Sequence, residues 1–213
     1  PLQQLTGVQE FMGLEFQVNE HVLIPRQDTE TLVELVLSEH KEKNISLLDV
    51  CTGSGCIAIS LAKLGGYTDV TALDLSEEAL KVARSNGEKL LDQPVKFIKS
   101  DMFSALNPEK QYNVIVSNPP YIPSQVIEGL EPEVKDHEPR MALDGEPDGL
   151  KFYRILAEEG KKYLKNGGSI YMEIGWDQAK DVTEIFEAMG FSGRRTVRDM
   201  AGNDRVVCAR KEK

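Results

Sequence analysis

Residues 45–64 read ISLLDVCTGSGCIAISLAKL, and the fold is decided here. Ile45–Val50 is an apolar run of strand length, enriched in residues that suit a buried pleated surface. A glycine-rich turn follows, and Cys56–Leu64 then reads as an apolar helix. A buried strand, a tight turn and a helix make the first half of a βαβ unit.

The same alternation continues downstream. VTALD (70–74) reads as a second strand. Ser76 is placed to cap the next helix, whose first turn carries Glu77 and Glu78, a charge that suits the helix dipole. VKFIKS (95–100) and YNVIVSN (112–118) are the third and fourth strands. A long irregular stretch, 119–147, precedes a helix over 148–164. SIYMEI (169–174) is the fifth strand. A helix over 177–189 places Val182, Ile185, Phe186 and Met189 on one face and ends at Gly190. FSGRRTV (191–197) and RVVCAR (205–210) close the chain as an antiparallel pair. Upstream, EFQVNEHVLI (15–24) reads as a hairpin turning at Asn19-Glu20, and Asp28 as the cap of a helix carrying Leu32, Leu35 and Val36. The expected fold class is therefore α/β, a mostly parallel sheet with helices on both faces. Ligands of such sheets bind at the C-terminal strand ends, so the places to look are just after Val50, Leu73, Ser100 and Ser117.

Composition narrows the function classes. The chain has 213 residues, 35 acidic against 25 basic, for a net charge of −10. A general nucleic-acid surface needs clustered Lys and Arg, which this balance disfavours. Cys51, Cys56 and Cys208 form no CxxC pair, and His21, His40 and His137 have no metal-ligand spacing. A reducing compartment without a structural metal fits.

Four short motifs stand at the strand ends. After the first strand comes Cys51-Thr52-Gly53-Ser54-Gly55. Glycines here let the backbone turn and approach a ligand, and Gly53 to Ala58 also satisfies G-x-G-x-x-A. A plain strand-to-helix turn is the alternative. After the second strand stands Asp74, a carboxylate able to accept from vicinal ribose hydroxyls; the alternative is a helix-capping acid. Nicotinamide enzymes and adenosylmethionine enzymes share this arrangement, so the cofactor stays open on these residues. After the third strand come Asp101, Met102 and Phe103. Asp101 could accept from an adenine amino group, with Met102 or Phe103 over the ring; alone, a surface turn explains them as well.

After the fourth strand stands Asn118-Pro119-Pro120-Tyr121. Two prolines fix φ, remove two N–H donors and hold the preceding residue extended. The result is a stiff ledge with an Asn amide, the carbonyl of Pro119 and a flat Tyr ring. A planar NH2 is a poor nucleophile because its lone pair is delocalised. Two acceptors, Asn118 Oδ1 and the Pro119 carbonyl, favour a pyramidal nitrogen with a localised lone pair. A rigid strand-ending turn is the alternative.

These segments together resemble the PrmC/HemK family, the glutamine N5-methyltransferases of peptide chain release factors. The resemblance runs through PLQQLTGVQEFMGLEFQVNEHVLIPRQDTETLVE, DVCTGSGCIAIS, NPPY, EPRMALDGEPDGLKFYRIL and MEIGWDQA. It implies a Rossmann-like seven-stranded methyltransferase sheet with a hairpin arm ahead of it, S-adenosylmethionine as donor and S-adenosylhomocysteine as product. It implies cofactor contacts from Cys51, Thr52, Gly53, Ser54, Gly55, Asp74, Asp101, Met102 and Asn118. Asn118, Pro119, Pro120 and Tyr121 would hold the glutamine amide of a Gly-Gly-Gln loop, with Asn118, Pro119 and Tyr121 as the catalytic set.

By the same resemblance, residues 1–44 form the arm and leading helix and 45–213 the catalytic domain. The family's N-terminal helical domain is absent from this sequence. The release factor is the expected partner of a cytoplasmic monomer, with no metal, direct nucleic-acid contact or membrane contact. Two positions depart from the family pattern: Cys51 replaces the first loop glycine, and Met102 replaces an aromatic residue. The alternatives are a DNA or RNA amino-group methyltransferase, a non-catalytic binding module and a dinucleotide oxidoreductase. Residues 119–149 carry eight acids against Lys135 and Arg140, which suggests either a solvated lid or a surface that attracts a basic protein through Glu131, Glu133 and Glu138.

Overall fold

The structure is a computed structural model describing residues 2–127, 129–130, 132 and 138–212. A short helix α1 (Leu2–Thr6) leads into strands β1 (Val8–Phe11) and β2 (Leu14–Gln17), which form an antiparallel hairpin. A 3-10 turn at Gln27–Thr29 precedes α2 (Glu30–Glu39). The sheet then builds through β3 (Ser46–Val50), α3 (Cys56–Gly65), β4 (Asp69–Asp74), α4 (Glu77–Leu90), β5 (Lys96–Lys99) and β6 (Tyr112–Ser117). Among the described residues two single-turn helices follow, α5 (Ser124–Ile127) and α6 (Arg140–Leu143). After them come α7 (Lys151–Tyr163), β7 (Leu164–Glu173), α8 (Ala179–Ala188), β8 (Ser192–Arg198) and β9 (Asp204–Arg210).

The seven strands lie in the order β5-β4-β3-β6-β7-β9-β8. β5 through β7 pair in parallel, and β9 pairs antiparallel with both β7 and β8. The expected fold class holds, including the antiparallel closing pair.

Strand periodicity explains the two cores. Leu48, Val50, Ile115, Ile170 and Met172 point to the face covered by α7 and α8, among Tyr153, Leu156, Val182 and Phe186. Their neighbours Leu47, Val114, Val116 and Tyr171 point to the other face, against Leu32 and Val36 of α2 and Ile57 and Leu61 of α3.

Register sets the site. Val50 pairs with Leu73 and with Ser117, Leu73 with Ile98, and Ser117 with Met172. The next residue of each strand therefore stands at one level: Cys51, Asp74, Lys99, Asn118 and Glu173. The chain reverses its direction of winding at β3, the place where such a sheet opens a crevice.

Three local expectations are corrected. The hairpin turns at Met12-Gly13 rather than Asn19-Glu20; both turn residues have positive φ, the geometry a two-residue hairpin loop requires. Residues 18–26 instead run without strand pairing. Asp28 does not cap α2: it sits in the 3-10 turn with its carboxylate 3.6 Å from Arg205 Nη2, and the N-cap residue Thr29 makes no side-chain cap bond. The stretch 119–147 is not wholly irregular, since it carries α5 and α6. The Ser76 cap stands, with Ala79 N donating to Ser76 Oγ at 3.1 Å. Among the described residues no helix is long and apolar enough to cross a membrane.

Candidate active site

The strand ends open into one cleft. Its sheet-side wall holds Cys51, Thr52, Gly53, Ser54, Asp74, Asp101, Met102, Asn118 and Pro120. Nine of the residues expected from sequence are thus brought together. Gly55, Pro119 and Tyr121 are not among the residues that line the cleft.

The glycine turn is tied to Asp74. Gly53 N donates to Asp74 Oδ2 at 2.8 Å, and Ser76 N to Oδ1 at 2.9 Å. Thr52 N reaches back to Leu73 O at 2.8 Å. Burial raises the Asp74 carboxyl above its usual range, opposed by these backbone donors. Each Asp74 oxygen keeps a lone pair for a further donor. A Cβ placed on Gly53 would meet nothing within 4 Å, so this turn faces open space. The residues present fit a cofactor bearing vicinal hydroxyls. Gly55 serves packing. A Cβ there would lie 2.8 Å from Ile59 Cδ1 and 3.2 Å from Ala83 Cβ, so glycine at this position lets α3 pack closely onto α4.

Cys51 and Met102 both adopt positive φ, 66° and 51°. For residues with a Cβ this costs roughly 1–2 kcal/mol each. At Cys51 this is also the position where the resemblance expects glycine. The two sulfurs meet at 3.8 Å, so both residues shape one corner of the cleft. Burial pushes the Cys51 thiol up. Phe103 does not share that corner. It turns inward and stacks on Tyr163 at 5.2 Å, which leaves Met102 as the residue of this pair on the wall.

Below the turn, Asp49 is fully buried and accepts from Thr52 Oγ1 at 2.7 Å. Burial pushes its carboxyl up to about 7.

The ledge presents Asn118, whose side chain makes no hydrogen bond to another described residue, so its amide oxygen is uncommitted. Tyr121 is tied down. Its hydroxyl donates to Glu173 Oε2 at 2.9 Å, and Thr29 Oγ1 donates to Oε1 of the same carboxylate. Burial raises both the Tyr121 phenol and the Glu173 carboxyl. Tyr121 can therefore offer a ring but not a free hydroxyl.

The opposite wall was not legible from strand patterns. Val22, Leu23, Ile24, Pro25 and Arg26 of the arm line it, with Pro139, with Met141 and Ala142 from α6 and with Phe152 from α7. Glu138 joins the two segments: it accepts from Arg26 Nη2 at 2.5 Å and from Ile24 N at 3.3 Å. The only sequence signal for this wall was the resemblance in the LIPR and EPRMAL segments.

A family model described as "Methyltransferase small domain" matches residues 27–129. A release factor glutamine methyltransferase from Geobacter sulfurreducens is 42% identical over 99% of the chain and 73% of its own length. The chain belongs to the release factor glutamine methyltransferase family. One from Fusobacterium nucleatum is 44% identical over 99% of the chain, which spans 60% of that relative's length. The solved structure of a release-factor-specific protein-(glutamine-N5) methyltransferase from Alicyclobacillus acidocaldarius is 31% identical. It covers 93% of this chain and 100% of its own, with a TM-score of 0.56.

In this release factor glutamine methyltransferase family member, Glu138 differs from its sequence expectation. Glu138 is buried at 6% exposure and paired with Arg26, so it is not a surface charge. Asp144 pairs with Arg140, Glu146 with Lys151 and Asp148 with Arg154. Glu128, Glu131, Glu133 and Asp136 lie outside the described residues. Three of the partner cations, Arg26, Lys151 and Arg154, lie outside residues 119–149 in sequence.

Proposed function

We propose that this chain methylates the side-chain amide nitrogen of the glutamine in the Gly-Gly-Gln loop of peptide chain release factors, with S-adenosylmethionine as donor. The observation that carries this reading is the position of Asn118. It stands level with Asp74 and Cys51 on one cleft, its amide uncommitted, at the end of the strand beside β3. Membership of the family supports the choice of substrate.

The turn at Thr52–Ser54 with Asp74, Asp101 and Met102 would hold the cofactor. S-adenosylmethionine, when bound, supplies an electrophilic methyl on a sulfonium whose leaving group departs neutral. Asn118 Oδ1 and the Pro119 carbonyl would accept the two N–H bonds of the glutamine amide. That orients the nitrogen for in-line attack and places two dipoles where positive charge develops. The N-methylated amide then gives one proton to water, and no strong base is needed. Tyr121, with its hydroxyl committed to Glu173, would contribute the face of its ring.

The test is transfer of labelled methyl from S-adenosylmethionine to purified release factor, beside duplex DNA and RNA. Label on the Gly-Gly-Gln peptide of the release factor is the expected result. Label on nucleic acid with none on the release factor would instead select an amino-group methyltransferase acting on bases.

A further inference from the structure

Pro119 and Pro120 have no N–H, so the ledge cannot be tied to its surroundings by donating at those positions. Over those two residues the backbone can be held only through its carbonyls. Ahead of the ledge, Ser117 Oγ donates to Val50 O at 2.6 Å. Behind it, Gln178 provides the tie. Its Nε2 donates to Tyr121 O at 2.8 Å and to Gly149 O at 3.4 Å, while its Oε1 accepts from Gly175 N at 2.8 Å. One planar amide thus joins the ledge, the loop at 145–149 and the turn after β7. Gln178 is only 7% exposed, so water offers little substitute. The approach is close. A Cβ on Gly149 would lie 2.6 Å from Tyr121 O, and one on Gly145 2.8 Å from Tyr121 Cα.

We propose that Gln178 is the positioning residue of the target ledge. By holding the Tyr121 carbonyl it sets, through the stiff Pro119–Pro120 unit, the direction in which Asn118 and the Pro119 carbonyl face the cleft. This rests on the reading of the ledge as the glutamine-amide site. The residue type follows from the partners: two carbonyls and one N–H require two donors and an acceptor on one side chain. A carboxylate of the same shape turns only acceptors toward two carbonyls.

The experiment compares wild type with Gln178→Glu and with Gln178→Met, which keeps bulk without strong hydrogen bonds. Three quantities are read: kcat and KM for release factor, S-adenosylmethionine affinity by calorimetry, and amide hydrogen exchange by peptide. In both variants kcat falls about 10- to 100-fold, the scale of a misplacement of about 1 Å. Cofactor Kd stays within about threefold, and exchange quickens in peptides covering 121–124 and 145–149 but not 46–60. A kcat within twofold of wild type in both variants overturns the proposal. So does unchanged exchange at 121–124, or a loss of kcat matched by equal loss of cofactor affinity and faster exchange throughout. Failure of wild type to methylate release factor would sink the functional reading instead, and the exchange comparison still decides whether Gln178 holds the ledge.

Discussion

The two halves of the cleft are held in place by different means. The cofactor half is fixed by local bonds: Gly53 N and Ser76 N donate to the Asp74 carboxylate, and Thr52 N to Leu73 O, all within 25 residues of sequence. The target half has given up donors to two prolines. It borrows its restraints from Gln178 and Glu173, more than 50 residues away. A site built from local bonds can be read as a motif. A site braced by distant side chains shows only its front edge, here NPPY.

The contrast is open to attack from several sides. The largest effect is expected from Asn118→Ala, which removes one of two acceptors for the target NH2. Single-turnover methyl transfer to release factor should drop by about 100-fold or more, the loss typical of one preorganised polar group; near-normal turnover removes the ledge from the chemistry.

Next comes Asp74→Ala. Its carboxylate both faces the cleft and ties down Gly53, so S-adenosylmethionine should bind roughly 10- to 100-fold more weakly, as expected for lost charged hydrogen bonds. Unchanged affinity by calorimetry would place the cofactor elsewhere.

A subtler test concerns Asp49, under the cofactor turn. Its carboxyl is pushed up from 3.8 to about 7, so between these values the folded chain holds a proton that the unfolded chain has lost. Stability then falls as pH rises through this window. Asp49→Asn keeps an acceptor for Thr52 and removes the titration. Its Tm relative to wild type should therefore climb from pH 5 to pH 8. A constant difference would mean Asp49 is ionised throughout.

The smallest effect is expected on the target side's rim. Glu146 and Asp148 are paired with Lys151 and Arg154 on the surface. Neutralising both pairs together, Glu146 with Lys151 and Asp148 with Arg154, should change release-factor association at low salt by less than about twofold, since exposed pairs present little net field. A several-fold slowing would revive the acidic stretch as a steering surface.

What the sequence made legible follows the same division. Cys51–Gly55 and Asp74 were readable because a strand, a glycine turn and a carboxylate one strand later form a pattern of short range. Asn118 was readable because NPPY is rare and stands at a strand end. Thr29, Glu173 and Gln178 were not singled out, because each acts through a partner brought near only by the folded sheet. Glu138 was misjudged for the same reason: Arg26 lies 112 residues before it. Met102 and Phe103 illustrate a finer limit. Adjacent residues in one turn take opposite directions, and only the stacking partner Tyr163 decides which goes inward. The hairpin was misplaced because Met12 is not a customary turn residue, although its neighbour Gly13 is.

The separation of the two halves is tested most directly by titrating S-adenosylmethionine into Asn118→Ala in a calorimeter. Asn118 lines the cleft, yet the cofactor half is held without it. The dissociation constant should therefore stay within about threefold of wild type, a difference under about 1 kcal/mol. A loss of affinity as large as that of Asp74→Ala would contradict this separation, because Asn118 would then hold the donor rather than the glutamine amide.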